Sequence, residues 1–151
     1  MVFTVEVGKR GTEVFPPELL DYDATDLPEQ LRDTLEEAIA CHSIGAYRAS
    51  AMMVRRLLEE FCEDSEANGK NLHSRILSLK NKITLPEELF EAMCELKALG
   101  NDAAHITARN YAEIGSDEAE DSIELSKEIL KARYQLKNLV DRLRSRKNKV
   151  T

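Results

Sequence analysis

The sequence predicts an all-α fold, an antiparallel bundle of about five helices preceded by a short N-terminal β-like arm. Three observations carry this. Glycine (6), proline (4) and tryptophan (0) are scarce, whereas the strong helix formers Leu, Ala, Glu and Lys abound. Apolar residues recur in steps of three and four along most of the chain, the period of a helix with one face in a core. Helix-start signals precede those runs. At 151 residues, 42% hydrophobic and 32% charged, the chain has the size of one domain able to bury a real core. The expected division is an arm and connector over residues 1–25, a helical domain over 26–146 and a basic tail over 147–151.

Taken in order, residues 1–14 alternate, with Phe3, Val5 and Val7 against Val2, Thr4 and Glu6 around a Gly8-Lys9-Arg10-Gly11 turn, as in a short hairpin. Pro16-Pro17 and the polar residues 21–25 read as a connector. A first helix is expected after Asp26 as N-cap, with Pro28 in its first turn and Leu27, Leu31, Leu35, Ala38 and Ile39 as its stripe, ending near His42-Ser43. The second, over about residues 44–66, carries Tyr47, Ala51, Val54, Leu58 and Phe61, the best core seam in the chain. Arg55, Arg56, Glu59 and Glu60 sit on its flank, Arg55 and Glu59 as an i,i+4 pair.

Asn68-Gly69 marks a turn, and Asn71 caps a short third helix through Leu72, Ile76 and Leu79. Thr84-Leu85-Pro86-Glu87 fits a capping box that opens the fourth helix through Leu89, Met93 and Leu96. Gly100 reads either as a C-cap or as a close-approach glycine in a helix continuing to about Ala104, and continuation is the expectation. A loop over 106–115 leads to Ser116 as the cap of a long last helix with Leu125, Ile129, Ala132, Leu136, Leu139 and Leu143, fraying from Arg144.

The net charge of −7 argues against a wholesale nucleic-acid-binding surface. Its distribution is uneven. Residues 131–151 hold eight basic side chains against Asp141 alone, a balance of +7 that leaves −14 on the rest. Such an end suits a helix C-terminus, and could also touch RNA or the acidic face of a second copy. Cys41, Cys62 and Cys94 are odd in number, with no C-x-x-C pair, which fits free thiols in a reducing compartment. Cys41-His42 lacks a second ligand pair, so no metal or other cofactor is expected. With no apolar signal core or spanning run, the protein is expected to be cytoplasmic, without a membrane partner.

The stretch least like generic core or surface is Leu96-Lys97-Ala98-Leu99-Gly100-Asn101-Asp102-Ala103-Ala104-His105. On a helix Lys97, Asn101 and His105 share a face. His105 could be a structural histidine that satisfies the helix end or bonds Glu59, and that reading outweighs a catalytic one. The small residues before it imply close packing against the second helix and its arginine–glutamate cluster.

Leu27-Pro28 with Glu37-Ala38, residues 49–59 reading A-S-A-M-M-V-R-R-L-L-E, and L-G-N-D-A-A-H over 99–105 resemble the bacterial domain of unknown function 4145 across about residues 26–140. That family is placed among HEPN-like helical domains, common near prophage, restriction and toxin–antitoxin genes. Larger members carry a zinc-ribbon-like segment for which this chain lacks the cysteines. Ribonuclease members of the wider group use an arginine followed after four to six residues by a histidine, two protomers sharing the site. Here the corresponding positions are Ala98, Leu99 and Gly100, and the nearest upstream cation is Lys97.

What the resemblance implies is a HEPN-like helical module, more a binding or self-associating domain than an enzyme. A homo-oligomer, a dimer, is expected, with a protein or RNA partner as the other expectation, in a defence or mobile-element setting. The alternative is a metal-independent endoribonuclease with His105 as general acid/base, Asn101 as orienter and a cation from Arg55, Arg56 or Arg109 on the phosphate. Arg55, Arg56, Glu59 and Lys97 are the candidate binding residues.

Overall fold

The computed structural model describes residues 5–6, 12–13, 22–107, 110–111 and 113–148. Of the expected arm, β1 (Val5–Glu6) and β2 (Thr12–Glu13) pair antiparallel, Val5 opposite Glu13. The turn between them, Pro16-Pro17, Arg109 and the last three residues of the basic tail lie outside the described residues.

The helical expectation holds. Helix α1 (Glu29–Ser43) buries Leu31, Leu35, Ala38 and Ile39, the stripe that its four- and three-residue spacing places on one face. It starts differently from the expectation: Asp26 adopts φ +65° and does not cap, and Pro28 stands at the N-cap, its carbonyl accepting from Arg32 N–H at 3.0 Å. Its end is a Schellman motif. Ala46 N–H donates to the Cys41 carbonyl (2.9 Å) and Gly45 N–H to that of His42 (3.0 Å), with Gly45 at φ +79°. Residues 44–46 are therefore the turn, and the second helix begins later than residue 44.

Helix α2 (Tyr47–Asp64) is the hub, and buries Ala51, Val54, Leu57, Leu58 and Phe61. It packs against α1 on one side and, on the others, against α3 (Leu72–Leu79), α4 (Glu87–Ala104) and α5 (Ser116–Leu130). Asn71 caps α3 as expected: its Oδ1 accepts from Ser74 N–H (2.9 Å), while Ser74 Oγ accepts from Asn71 N–H (3.2 Å). Thr84 does not complete a box on α4, where Pro86 is the N-cap and Glu87 and Glu88 face the positive end of the helix. Gly115, not Ser116, caps α5; its N–H donates to Glu118 Oε2 at 3.0 Å.

One continuous core results, with Phe61, Leu35, Ile76, Met93 and Ile123 at its centre. The expected long last helix is interrupted. After α5 comes a π-helical turn, Lys131–Gln135, and then α6 (Leu136–Asn148). Long-range bonds hold that turn: Tyr134 Oη donates to Asp64 (2.5 Å) and its ring meets Phe61 edge-on, while Gln135 Nε2 donates to the carbonyls of Asp23 (2.6 Å) and Thr25 (2.8 Å). A wide turn of this kind inserts a residue into the helical register and re-aims the helix beyond it.

Candidate functional site

Helix α4 continues through Gly100, and there it meets α2. A β-carbon built on Gly100 would lie 2.5 Å from Arg55 Cβ and 3.1 Å from its Cδ, so the arginine side chain runs directly across the glycine. Only a residue without Cβ permits that approach. The expected packing of the G-N-D-A-A-H segment on the second helix is thus present. Arg55 reaches Glu59 at 3.5 Å and leaves Nη1 buried without a hydrogen-bond partner among the described residues.

The expected polar connection is not made. Asn101 contributes its carbonyl, which accepts from His105 N–H at 2.9 Å. No described hydrogen bond joins Asn101, Lys97 or His105 to Arg55 or Glu59. His105 ends α4 in an extended conformation (φ −127°, ψ 124°) with its side chain exposed, so it does not bond Glu59. Among the described residues no hydrogen bond to its ring is present that would fix its tautomer or its aim.

Asp102, which sequence reasoning misses, organises this end instead. Its carboxylate accepts from Asn110 Nδ2 (2.9 Å) and from Tyr111 N–H, and Tyr111 Oη donates to Glu95 Oε2 (2.6 Å). Partial burial, the bond to Glu95 and the negative charges of Glu95 and Asp102 push the Tyr111 phenol up to about 12. The pattern is that of a loop anchor.

Arg56 and Glu60 divide the flank differently from the expectation. Arg56 is 64% exposed, but Glu60 is only 6% exposed and sits between α1 and α2. Its carboxylate accepts from Arg56 Nε (2.8 Å) and from Thr34 Oγ1 (2.7 Å), so the buried charge is both paired and hydrogen-bonded. Its place one turn beyond Arg56, on the side of Leu57 and Phe61, is the signal that could have revealed it.

A row of exposed apolar side chains lies elsewhere. On α6, Leu136, Leu139, Val140 and Leu143 are 59%, 54%, 40% and 70% exposed. Their i, i+3, i+4, i+7 spacing forms one stripe, the seam of a helix that packs on another helix. The periodic pattern is that of a core helix, but the π turn carries it off the bundle. At its base a groove of about 580 Å³ runs between α4, α5 and α6, floored by Leu89, Leu125, Ala132, Leu136 and Leu139.

Among the described residues no group of three or more His, Cys, Asp or Glu is placed to hold a metal ion. No described helix is long and apolar enough to cross a membrane. Comparison with curated proteins and with solved structures finds no match. A family model does match, over residues 36–146, which include the Arg55–Gly100 crossing, the Asp102 anchor and nearly all of α6. The chain therefore belongs to the family described as Domain of unknown function (DUF4145).

Proposed function

We propose that this chain is a non-catalytic, HEPN-like helical module that acts by self-association, as a homodimer in the cytoplasm in a bacterial defence or mobile-element setting. The observation that carries the reading is the apolar row of α6, four large side chains between 40% and 70% exposed on a helix directed away from the core. A helix of 13 residues is marginal in water without a packed face, and an exposed apolar row of this kind marks an interaction surface. The HEPN-like assignment and the setting rest on the sequence resemblance alone.

The ribonuclease alternative needs a histidine held beside a cation. His105 is exposed, and Arg55 is engaged by Glu59 and pressed onto Gly100. Neither arrangement aims an acid/base group at a bound phosphate. The test is to incubate purified protein with single-stranded RNA, with and without chelator, while its mass is followed by sedimentation. The reading expects intact RNA and a concentration-dependent dimer. Chelator-resistant cleavage that vanishes in His105→Ala would overturn it in favour of the nuclease.

A further inference from the structure

The π-helical turn is where α6 is aimed, and little within the turn accounts for its shape. None of its five residues, Lys131–Gln135, is buried, and a π turn has no intrinsic advantage over the α-helix on either side of it. The apolar row runs through the turn without a break: Leu125, Ile129, Ala132, Leu136, Leu139 and Leu143 step by four and three, as they would along one straight α-helix. In that register Leu136 and the leucines after it prolong the row of Leu125 and Ile129, which packs on the core. The structure instead has Leu136 N–H donating to the Lys131 carbonyl, five residues back. One inserted residue turns everything beyond it by about 100°, and the stripe stands exposed.

What holds the wider turn comes from another part of the chain. A primary amide has two N–H donors, and Gln135 Nε2 donates to two carbonyls of the connector before α1, those of Asp23 (2.6 Å) and Thr25 (2.8 Å). The connector is shaped to offer them. Asp23 Oδ1 accepts from Thr25 N–H (2.8 Å), Asp26 takes φ +65°, and Tyr22 Oη donates to Glu36 on α1 (2.9 Å). Tyr134 adds its bond to Asp64 and its edge-on contact with Phe61.

We propose that the connector, residues 22–26, is a latch: through Gln135, and with Tyr134 beside it, it holds the turn in the π register, and its release lets the turn relax to an α-helix that brings the stripe round toward the bundle's own side. The last helix thus has two directions, and the connector selects between them. A register shift of this kind is a two-state element that a small local change can bias. Latched, the stripe is open to a second copy; displacement of residues 22–26 withdraws it. That regulation rests on the proposed self-association, whereas the latch itself does not.

The test uses the full chain, isotope-labelled and perdeuterated, as wild type, Gln135→Glu and Gln135→Glu/Tyr134→Phe. Glutamate keeps the shape of glutamine without its donors, and phenylalanine keeps the ring on Phe61 without the phenol. Scalar coupling across the hydrogen bond shows which carbonyl the Leu136 N–H meets, residual dipolar couplings give the direction of α6 relative to α5, and sedimentation equilibrium gives the dimer constant. Wild type should couple Leu136 to Lys131. The double variant should couple it to Ala132, with α6 re-aimed, the α2 amides unchanged and the dimer weakened roughly tenfold or more, since affinity falls with the fraction in the competent state. A double variant that keeps the Lys131 coupling and the wild-type direction would overturn the latch and leave self-association standing. A shifted register with an undiminished dimer would overturn the regulation. A wild type that stays monomeric at high concentration while the register still shifts would overturn self-association and leave the latch.

Discussion

Gly100 lies so close to Arg55 that the missing β-carbon is the contact: it would stand 2.5 Å from Arg55 Cβ, an atom fixed to the α2 backbone. Gly100→Ala gains about 1 kcal/mol of helix propensity, but the crossing must open to admit the methyl group, an overpacking cost of about 1–3 kcal/mol. A net loss of up to about 2 kcal/mol is expected, a fall of up to roughly 4–8 °C in Tm. Because alanine keeps its Cβ, Arg55→Ala does not rescue it. A double mutant that melts like wild type would show that the crossing is looser than described.

Glu66 follows α2 at φ +55°, the position in which Ala67 N–H donates to the Cys62 carbonyl (2.8 Å) and Glu66 N–H to that of Glu63 (3.0 Å). This is a second Schellman motif, built on a residue with a β-carbon where glycine fits without strain. Glu66→Gly should stabilise by about 0.5–1 kcal/mol after the added freedom of the unfolded chain is subtracted. Urea unfolding checks this as a higher midpoint with unchanged slope.

The core of these helices is legible in the sequence because a 3.6-residue period needs only the order of apolar side chains. The Asn71 cap is legible for the same reason, since it acts within a few residues, whereas Gly100 stands out by its residue type although the side chain it meets, Arg55, lies far off in the chain. The π turn is not legible: its anchors, Tyr134 to Asp64 and Gln135 to Asp23 and Thr25, join residues far apart in the chain. Hence the stripe at Leu136, Leu139 and Leu143 has the pattern of core and the exposure of surface. Periodicity tells which face of a helix is apolar, not whether its cover comes from the same chain. Residue type likewise draws attention to Asn101 and His105, whereas the hydrogen bonds fall to Asp102.

That anchor predicts a contrast. Asp102→Ala removes the acceptor for Tyr111 N–H and Asn110 Nδ2 and should destabilise by about 1–2 kcal/mol, with faster amide exchange at Tyr111. His105→Ala, at an exposed side chain, should stay within about 0.5 kcal/mol of wild type. Thermal melts and amide exchange of the two variants decide the matter. Equal losses would place His105 in the loop structure after all.

Alkaline pH should weaken the fold. Burial pushes the Cys62 thiol up to about 11, and burial with the bond to Glu95 pushes Tyr111 up to about 12. Tyr22 and Tyr134 move upward for the same reasons, against Glu36 and Asp64. In each case the unfolded chain loses its proton first, so the stabilisation is complete below the ordinary value and is lost as pH rises through the folded one. For Cys62 that window runs from about 9 to 11 and amounts to on the order of 2 kcal/mol. Urea midpoints should fall across it, and less steeply in Cys62→Ala. A flat profile would contradict the burial of these groups.

The claim on which the functional reading depends is that the α6 stripe is covered by another molecule of this chain. Amide hydrogen exchange of the full chain at low and at high protein concentration reads this directly. Protection that grows with concentration along α6 and beside Leu89 and Leu125, while the α2 core stays unchanged, is the expected result. Exchange along α6 that is equally fast at both concentrations would contradict it.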